Sequence, residues 1–134
     1  MTDILRSFEV AGVPPATGPW ARAVEWNGLI FLSGLRGLEL ETGAPAATLE
    51  RRLELIHTHL ALTLEQHGSD LASVIASRAY VTDMAGLRPA VNGFYERAFG
   101  PNLPTRTILE VSGLNQDDDV EIEFVAVRRR PAAP

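Results

Sequence analysis

Two stretches toward the C-terminal end of the chain, Pro104-Thr105-Arg106-Thr107-Ile108-Leu109-Glu110-Val111 and Val120-Glu121-Ile122-Glu123-Phe124-Val125-Ala126-Val127, alternate apolar and polar residues. A period of two is that of a half-buried strand. The turn-rich Gly113 to Asp118 segment between them predicts an antiparallel hairpin. Thr107, Leu109 and Val111 then share the core face of the first strand, and Val120, Ile122, Phe124 and Ala126 that of the second. Arg106, Glu110, Glu121 and Glu123 fall on the opposite faces. Any register that keeps the apolar sets together puts Arg106 and Glu121 on one outward face, roughly 7 to 13 Å apart.

Upstream, residues 6 to 10 suit a short edge strand, and Val13 to Pro19 is an extended loop because of its prolines. Trp20 to Trp26 alternates and reaches Asn27-Gly28, the strongest two-residue hairpin signal, followed by Leu29-Ile30-Phe31-Leu32-Ser33-Gly34. That run is apolar on both faces, as in a central strand covered by helices on one side and another subunit on the other. Gly34 closes it, and a glycine there suits either a plain turn or the close approach of a ligand. From Ala47 to His67 the period becomes helical, with Leu49, Leu53, Ile56, Leu60 and Leu64 in one stripe, Thr48 as a start and Gly68 as a stop. Val74 to Thr82 reads as a strand. A second helix is expected from about Leu87 to Phe99, with Val91, Phe94, Tyr95 and Phe99 inward and Gly100-Pro101 ending it.

At 134 residues, with 46% hydrophobic and 22% charged positions, the chain suits one globular domain spanning 1-134. No apolar run is long enough to span a bilayer, and the first residues lack the pattern of a secretory signal, so a cytoplasmic location is expected. The absence of cysteine excludes thiolate catalysis and cysteine-based zinc sites. A formal charge of −5 argues against a general nucleic-acid binder. His57, His59 and His67 share the first helix at spacings that supply no metal-ligand set, which makes them residues of its surface or stripe edge. Asp117-Asp118-Asp119 is expected at a solvated turn tip, and Arg128-Arg129-Arg130 in an exposed tail.

Arg106 and Glu121 carry the candidate chemistry. An arginine fork matches a carboxylate in two places, and a glutamate beyond it can orient or deprotonate water. The same pair also suits a solvated cross-strand contact worth about 0.2 to 1 kcal/mol. Asn92, at the flank of the second helical stripe, can face solvent, bind backbone or reach a site.

Gly18-Pro19-Trp20, Phe31-Leu32-Ser33-Gly34, Val91-Asn92-Gly93-Phe94-Tyr95, Pro104-Thr105-Arg106-Thr107 and Val120-Glu121-Ile122-Glu123, in this order and spacing, resemble the motifs of the RidA/YjgF family of reactive imine and enamine deaminases. The likeness covers nearly the whole chain. It implies an α+β, chorismate-mutase-like fold: a mixed sheet with two helices on one face, assembling as a homotrimer with three clefts between subunits. An outward-facing Ile30, Leu32 or Ile108 would be covered in such a trimer. The resemblance further implies hydrolysis of 2-aminoacrylate or 2-iminopropanoate to the 2-oxo acid and ammonia, with no cofactor and no metal. Arg106 would grip the substrate carboxylate and Glu121 position the water, with Trp20, Ser33, Gly34, Asn92 and Ile108 around the substrate. Neither nucleic acid nor a membrane is implied as a partner.

The chain departs from the family pattern where the pocket is shaped. Trp20 replaces a common tyrosine, Ala21 and Arg22 replace serine and glutamine, and Ile108 stands where many members carry cysteine. Arg22 suits a second carboxylate contact, which leaves a larger dicarboxylic enamine of the aminomuconate kind as an alternative substrate. A non-catalytic trimer that binds 2-oxo acids is the alternative from another class.

Overall fold

In the computed structural model, which describes residues 3–130, the chain forms one six-stranded mixed sheet with two helices on one face. The strands are β1 (Leu5–Ser7), β2 (Ala23–Trp26), β3 (Leu29–Leu35), β4 (Val74–Val81), β5 (Thr105–Glu110) and β6 (Val120–Val127). The helices are α1 (Leu49–Gln66) and α2 (Met84–Phe99). Across the sheet the order is β1-β2-β3-β6-β4-β5. Neither helix is long and apolar enough to cross a membrane.

The Asn27-Gly28 turn joins β2 to β3 as expected. Trp26 pairs with Leu29, so the turn is two residues long, and both central residues have positive φ, 54° and 81°. That backbone matches the twist of the flanking strands and strains most side chains, which is why Asn-Gly is favoured there. The first helix also matches the sequence pattern: the Thr48 side chain accepts a hydrogen bond from the Arg51 amide, and Leu53, Ile56, Leu60 and Leu64 are buried. Their stripe meets Val91, Phe94, Tyr95 and Phe99 of α2 above the sheet. The second helix begins three residues before the expected Leu87, because Asp83 caps it by accepting from the Gly86 amide.

The hairpin expected between the last two strands does not form. Helix α2 carries the chain across the helical face of the sheet, so β5 returns parallel to β4 at the sheet edge. Strand β6 then inserts on the other side of β4, antiparallel to both β4 and β3. Its core residues Val120, Ile122, Phe124 and Ala126 are at most 1% exposed, a burial available only to a central strand. The faces of β5 also reverse. Ile108 packs toward the core under α2, whereas Leu109 is 38% exposed, and Arg106 lies on the helical side with Ile108. Ile30 and Leu32 are core residues as well. On the face away from the helices, Trp26, Phe31 and Leu109 are exposed large apolar side chains, with Tyr80, Arg78, Glu121 and Glu123 on the same face between Phe31 and Leu109.

Two charged runs also depart from expectation. Asp118 is 1% exposed, its carboxylate 3.0 Å from Arg36 and 3.9 Å from Arg52, and Asp119 lies 3.1 Å from Arg52. Arg128 is tied down by buried Glu25 at 3.0 Å, and Glu25 also meets Nδ1 of His67 at 3.2 Å. His59 and His67 are therefore buried rather than surface residues.

Candidate active site

Where β3 ends, a cleft of about 320 Å³ opens between the Pro14-to-Trp20 loop, the end of β3 and the start of β6. Trp20, Ser33, Gly34 and Glu121 line it, as do Arg22, Arg36, His59 and Asn115. The proline-rich loop is held by backbone bonds from Arg22 to the Ser7 carbonyl, 2.8 Å, and from Ser33 to the Arg22 carbonyl, 3.0 Å. Ser33 Oγ donates to the Ala21 carbonyl at 2.6 Å. Trp20 is 42% exposed, and its ring folds back over Gly18 so closely that a Cβ at position 18 would lie 2.1 Å from it.

Glu121 lies flat against the backbone of Gly34. A Cβ there would sit 2.0 Å from its Oε2, so the glycine leaves room for the carboxylate. Oε1 lies 3.8 Å from Nε of Arg36. Burial raises the Glu121 pKa above its ordinary value; Arg36 opposes this, while Asp118 and Glu123 add to it. Such a carboxylate keeps more basicity than a solvated one. Arg36 is itself fixed: Nη1 donates to the Asn115 carbonyl and to Asp118, both at 3.0 Å, and Nη2 donates to Gln116 at 2.8 Å. Gln116 and Asp117 have positive φ, 58° and 54°, so Arg36 holds a strained loop in place beside Glu121.

Arg106 lies elsewhere. It donates to Asn92 Oδ1 at 2.6 Å, and its guanidinium carbon sits 5.2 Å from the centroid of the Tyr95 ring. Tyr95 is buried and its hydroxyl donates to Ser77 at 2.8 Å, so α2 and β4 together set the platform under the arginine. Asn92, Tyr95, Leu103, Pro104 and Arg106 line a shallow depression of about 230 Å³.

The predicted site residues thus fall into two groups, with Trp20, Ser33, Gly34 and Glu121 in one and Asn92 and Arg106 in the other, while Ile108 shares the Arg106 face of β5 but packs against the core and lines neither hollow. In a single protomer the groups are not joined. Ser77 is the common neighbour of Arg106 and Phe124, and Tyr80 that of Leu109 and Glu121. Arg106 and Glu121 are therefore three residues and two strand spacings apart, about 14 Å between backbones. Their side chains also leave opposite faces of the sheet. This replaces the shared outward face expected from the sequence, and the reason is the intervening β4. Sequence reading missed Arg36 and His59 as cleft residues. The Gly34-Leu35-Arg36-Gly37 pattern was a signal for the first, since glycines on both sides admit close approach.

The family model described as Endoribonuclease L-PSP matches residues 11–128. Among curated proteins, the chain is 32% identical to Reactive Intermediate Deaminase A, chloroplastic, of Arabidopsis thaliana over 84% of its length, and spans 60% of that relative. It is 30% identical to the 2-iminobutanoate/2-iminopropanoate deaminase of Mus musculus, with 96% of each protein covered. Among solved structures, a putative endoribonuclease from Thermotoga maritima superposes with a TM-score of 0.86 at 31% identity, covering 94% of this chain and 99% of that one. With its fold, its motif order and these likenesses, the chain belongs to the RidA/YjgF family.

Proposed function

We propose that this protein hydrolyses small imine and enamine carboxylates, of the 2-iminopropanoate and 2-aminoacrylate type, to 2-oxo acids and ammonia. It does so as a homotrimer in which each cleft joins the Glu121 group of one protomer to the Arg106 group of the next. The observation that carries the reading is the division of the site. Glu121 is built into the cleft at the end of β3, while Arg106 presents its fork on a shallow surface on the opposite face of the sheet, where among the described residues Asn92 is its hydrogen-bond partner. Trp26, Phe31 and Leu109, between 38% and 47% exposed on the face away from the helices, supply an apolar surface for the neighbouring protomers. The named activity of the mouse relative supports the same chemistry.

In the proposed reaction Arg106 binds the substrate carboxylate through two N–H groups and fixes the imine carbon. Glu121 takes a proton from water as the water oxygen bonds to that carbon, and then returns it to the nitrogen. The hydroxyl of the resulting carbinolamine then gives its proton, by way of Glu121, to the nitrogen as C=O forms and the C–N bond breaks, so that ammonia leaves and the 2-oxo acid remains. An enamine first takes a proton at carbon to become the imine. No electron acceptor or donor is needed, so the reaction balances without a cofactor.

A serine or cysteine lyase generating 2-aminoacrylate in situ supplies the test. Decay of the intermediate should accelerate with this protein and return to the background rate with Arg106→Ala, while the assembly stays intact by light scattering. Full activity in Arg106→Ala would overturn the assignment.

A further inference from the structure

The charges in the Glu121 cleft do not cancel locally. Arg36 is matched by Asp118 at 3.0 Å and lies near Glu121 at 3.8 Å. Arg22 lines the same cleft, half-buried, and among the described residues no carboxylate lies within ion-pairing distance of it. Among the described residues the one acceptor of its side chain is the carbonyl of Pro14, which engages Nη2. A guanidinium has five N–H donors in a planar fork, so most of its capacity is unspent. His59, 2% exposed, lines the cleft too but brings no counter-charge: burial first, then the charge of Arg22, pushes its pKa below the ordinary value and leaves the ring neutral near pH 7.

A cation held partly out of water without an anion is costly unless something else completes it. Here the missing anion has an open route, because the unpaired guanidinium lies in the wall of the cleft that holds Glu121. We infer that Arg22 is the seat for a second acidic group of the substrate, so that the preferred substrate class is the dicarboxylic imine or enamine rather than the monocarboxylate. The inference rests on the proposed deaminase reading for its catalytic part. In this arrangement Arg106 from the neighbouring protomer holds the carboxylate beside the imine carbon, and Arg22 holds the distal one. Pro14, Pro15 and Trp20 close the apolar sides around the linking carbons. Position 22 then sets specificity, and the reaction at the imine carbon is unchanged.

The test separates binding from turnover. Calorimetry on the intact assembly compares 2-oxoglutarate with 2-oxobutanoate, two product analogues that differ by the distal carboxylate. The wild type is expected to bind the dicarboxylate at least about tenfold more tightly, the range for a charge-assisted hydrogen bond. Arg22→Gln should collapse that ratio toward one, and Arg22→Lys, which keeps the charge and loses the fork, should retain part of it. Imines generated in situ from glutamate and from 2-aminobutanoate by amino-acid oxidases then give the same comparison in kcat/KM. Equal affinity for the two oxo acids in the wild type, or a ratio unchanged in folded Arg22→Gln, overturns the inference; so does failure to bind either ligand. If the dicarboxylate preference in binding is present and lost in Arg22→Gln while no imine of either kind is hydrolysed, the Arg22 seat stands and the deaminase reading falls.

Discussion

Arg106→Ala and Glu121→Gln, each prepared separately, test whether the two groups act from different protomers. Within one protomer their backbones are about 14 Å apart and their side chains leave opposite faces, whereas a three-carbon substrate spans only a few ångströms. Each variant alone is expected to be inactive. Losing the Arg106 fork removes charge-assisted hydrogen bonds worth about 1.5 to 3 kcal/mol each, or roughly 10- to 150-fold per bond. On the proposed trimer, unfolding the two variants together in equal amounts and refolding them gives assemblies of random composition. A cleft that draws Arg106 from one protomer and Glu121 from the next is complete in about one quarter of cases, so about a quarter of wild-type activity should return. Ammonia release, measured against refolded wild type, reads the result. If both residues acted from one protomer, no mixture would regain activity. A second arm checks the counting: the double variant refolded with wild type should leave about one quarter of the clefts active on the proposed reading, and about one half if each protomer carried a whole site. No recovery in the first arm together with one half in the second would refute the shared cleft.

Further outcomes follow from particular contacts. With Glu121 as base, the raised pKa means that kcat/KM starts to fall, as pH decreases, at a higher pH than for a solvated glutamate; Arg36→Met removes the cation opposing the rise and should move this acid limb higher still, as a pH–rate profile would show. Gly34→Ala pushes the Glu121 carboxylate away from the β3 backbone and should lower kcat/KM at least about tenfold, with circular dichroism and oligomeric state unchanged; wild-type kinetics would count against the placement of Glu121. Asp118→Ala leaves Arg36 and Arg52 without their buried counter-charge and should cost about 3 to 5 kcal/mol in urea unfolding. Leu60→Ala, in the fully buried stripe of α1, should cost about 2 to 5 kcal/mol by the same measurement.

Local signals in the sequence carried to the structure where the information is local. The leucine stripe of α1, the Thr48 cap and the Asn27-Gly28 turn each depend on residues within a turn or two of one another. Pairing of the last strands does not. Ile108 and Leu109 are adjacent and both apolar, so either parity of β5 gives an acceptable strand, and the choice falls to α2, which covers Ile108 and props Arg106 on Tyr95. The acidic run reads as solvated because its counter-ion is far away along the chain: Arg36 and Asp118 are 82 residues apart. Motif order identified Arg106, Glu121, Gly34 and Asn92 as candidates, yet their distribution over two faces required the strand order. Cleft residues such as His59 sit at core positions of a helical stripe, where nothing in the pattern separates a packing role from a lining one.

The exposed apolar side chains Trp26, Phe31 and Leu109 have a consequence for how the protein would behave in dilute solution. In the proposed trimer the substrate bridges the seam between protomers, so binding and assembly draw on one equilibrium. Mass action then requires that specific activity fall on dilution toward the dissociation constant of the assembly, and that a 2-oxo acid resist that fall by binding only the associated form. The catalyst would be switched by its own abundance, and its product would act as an adhesive.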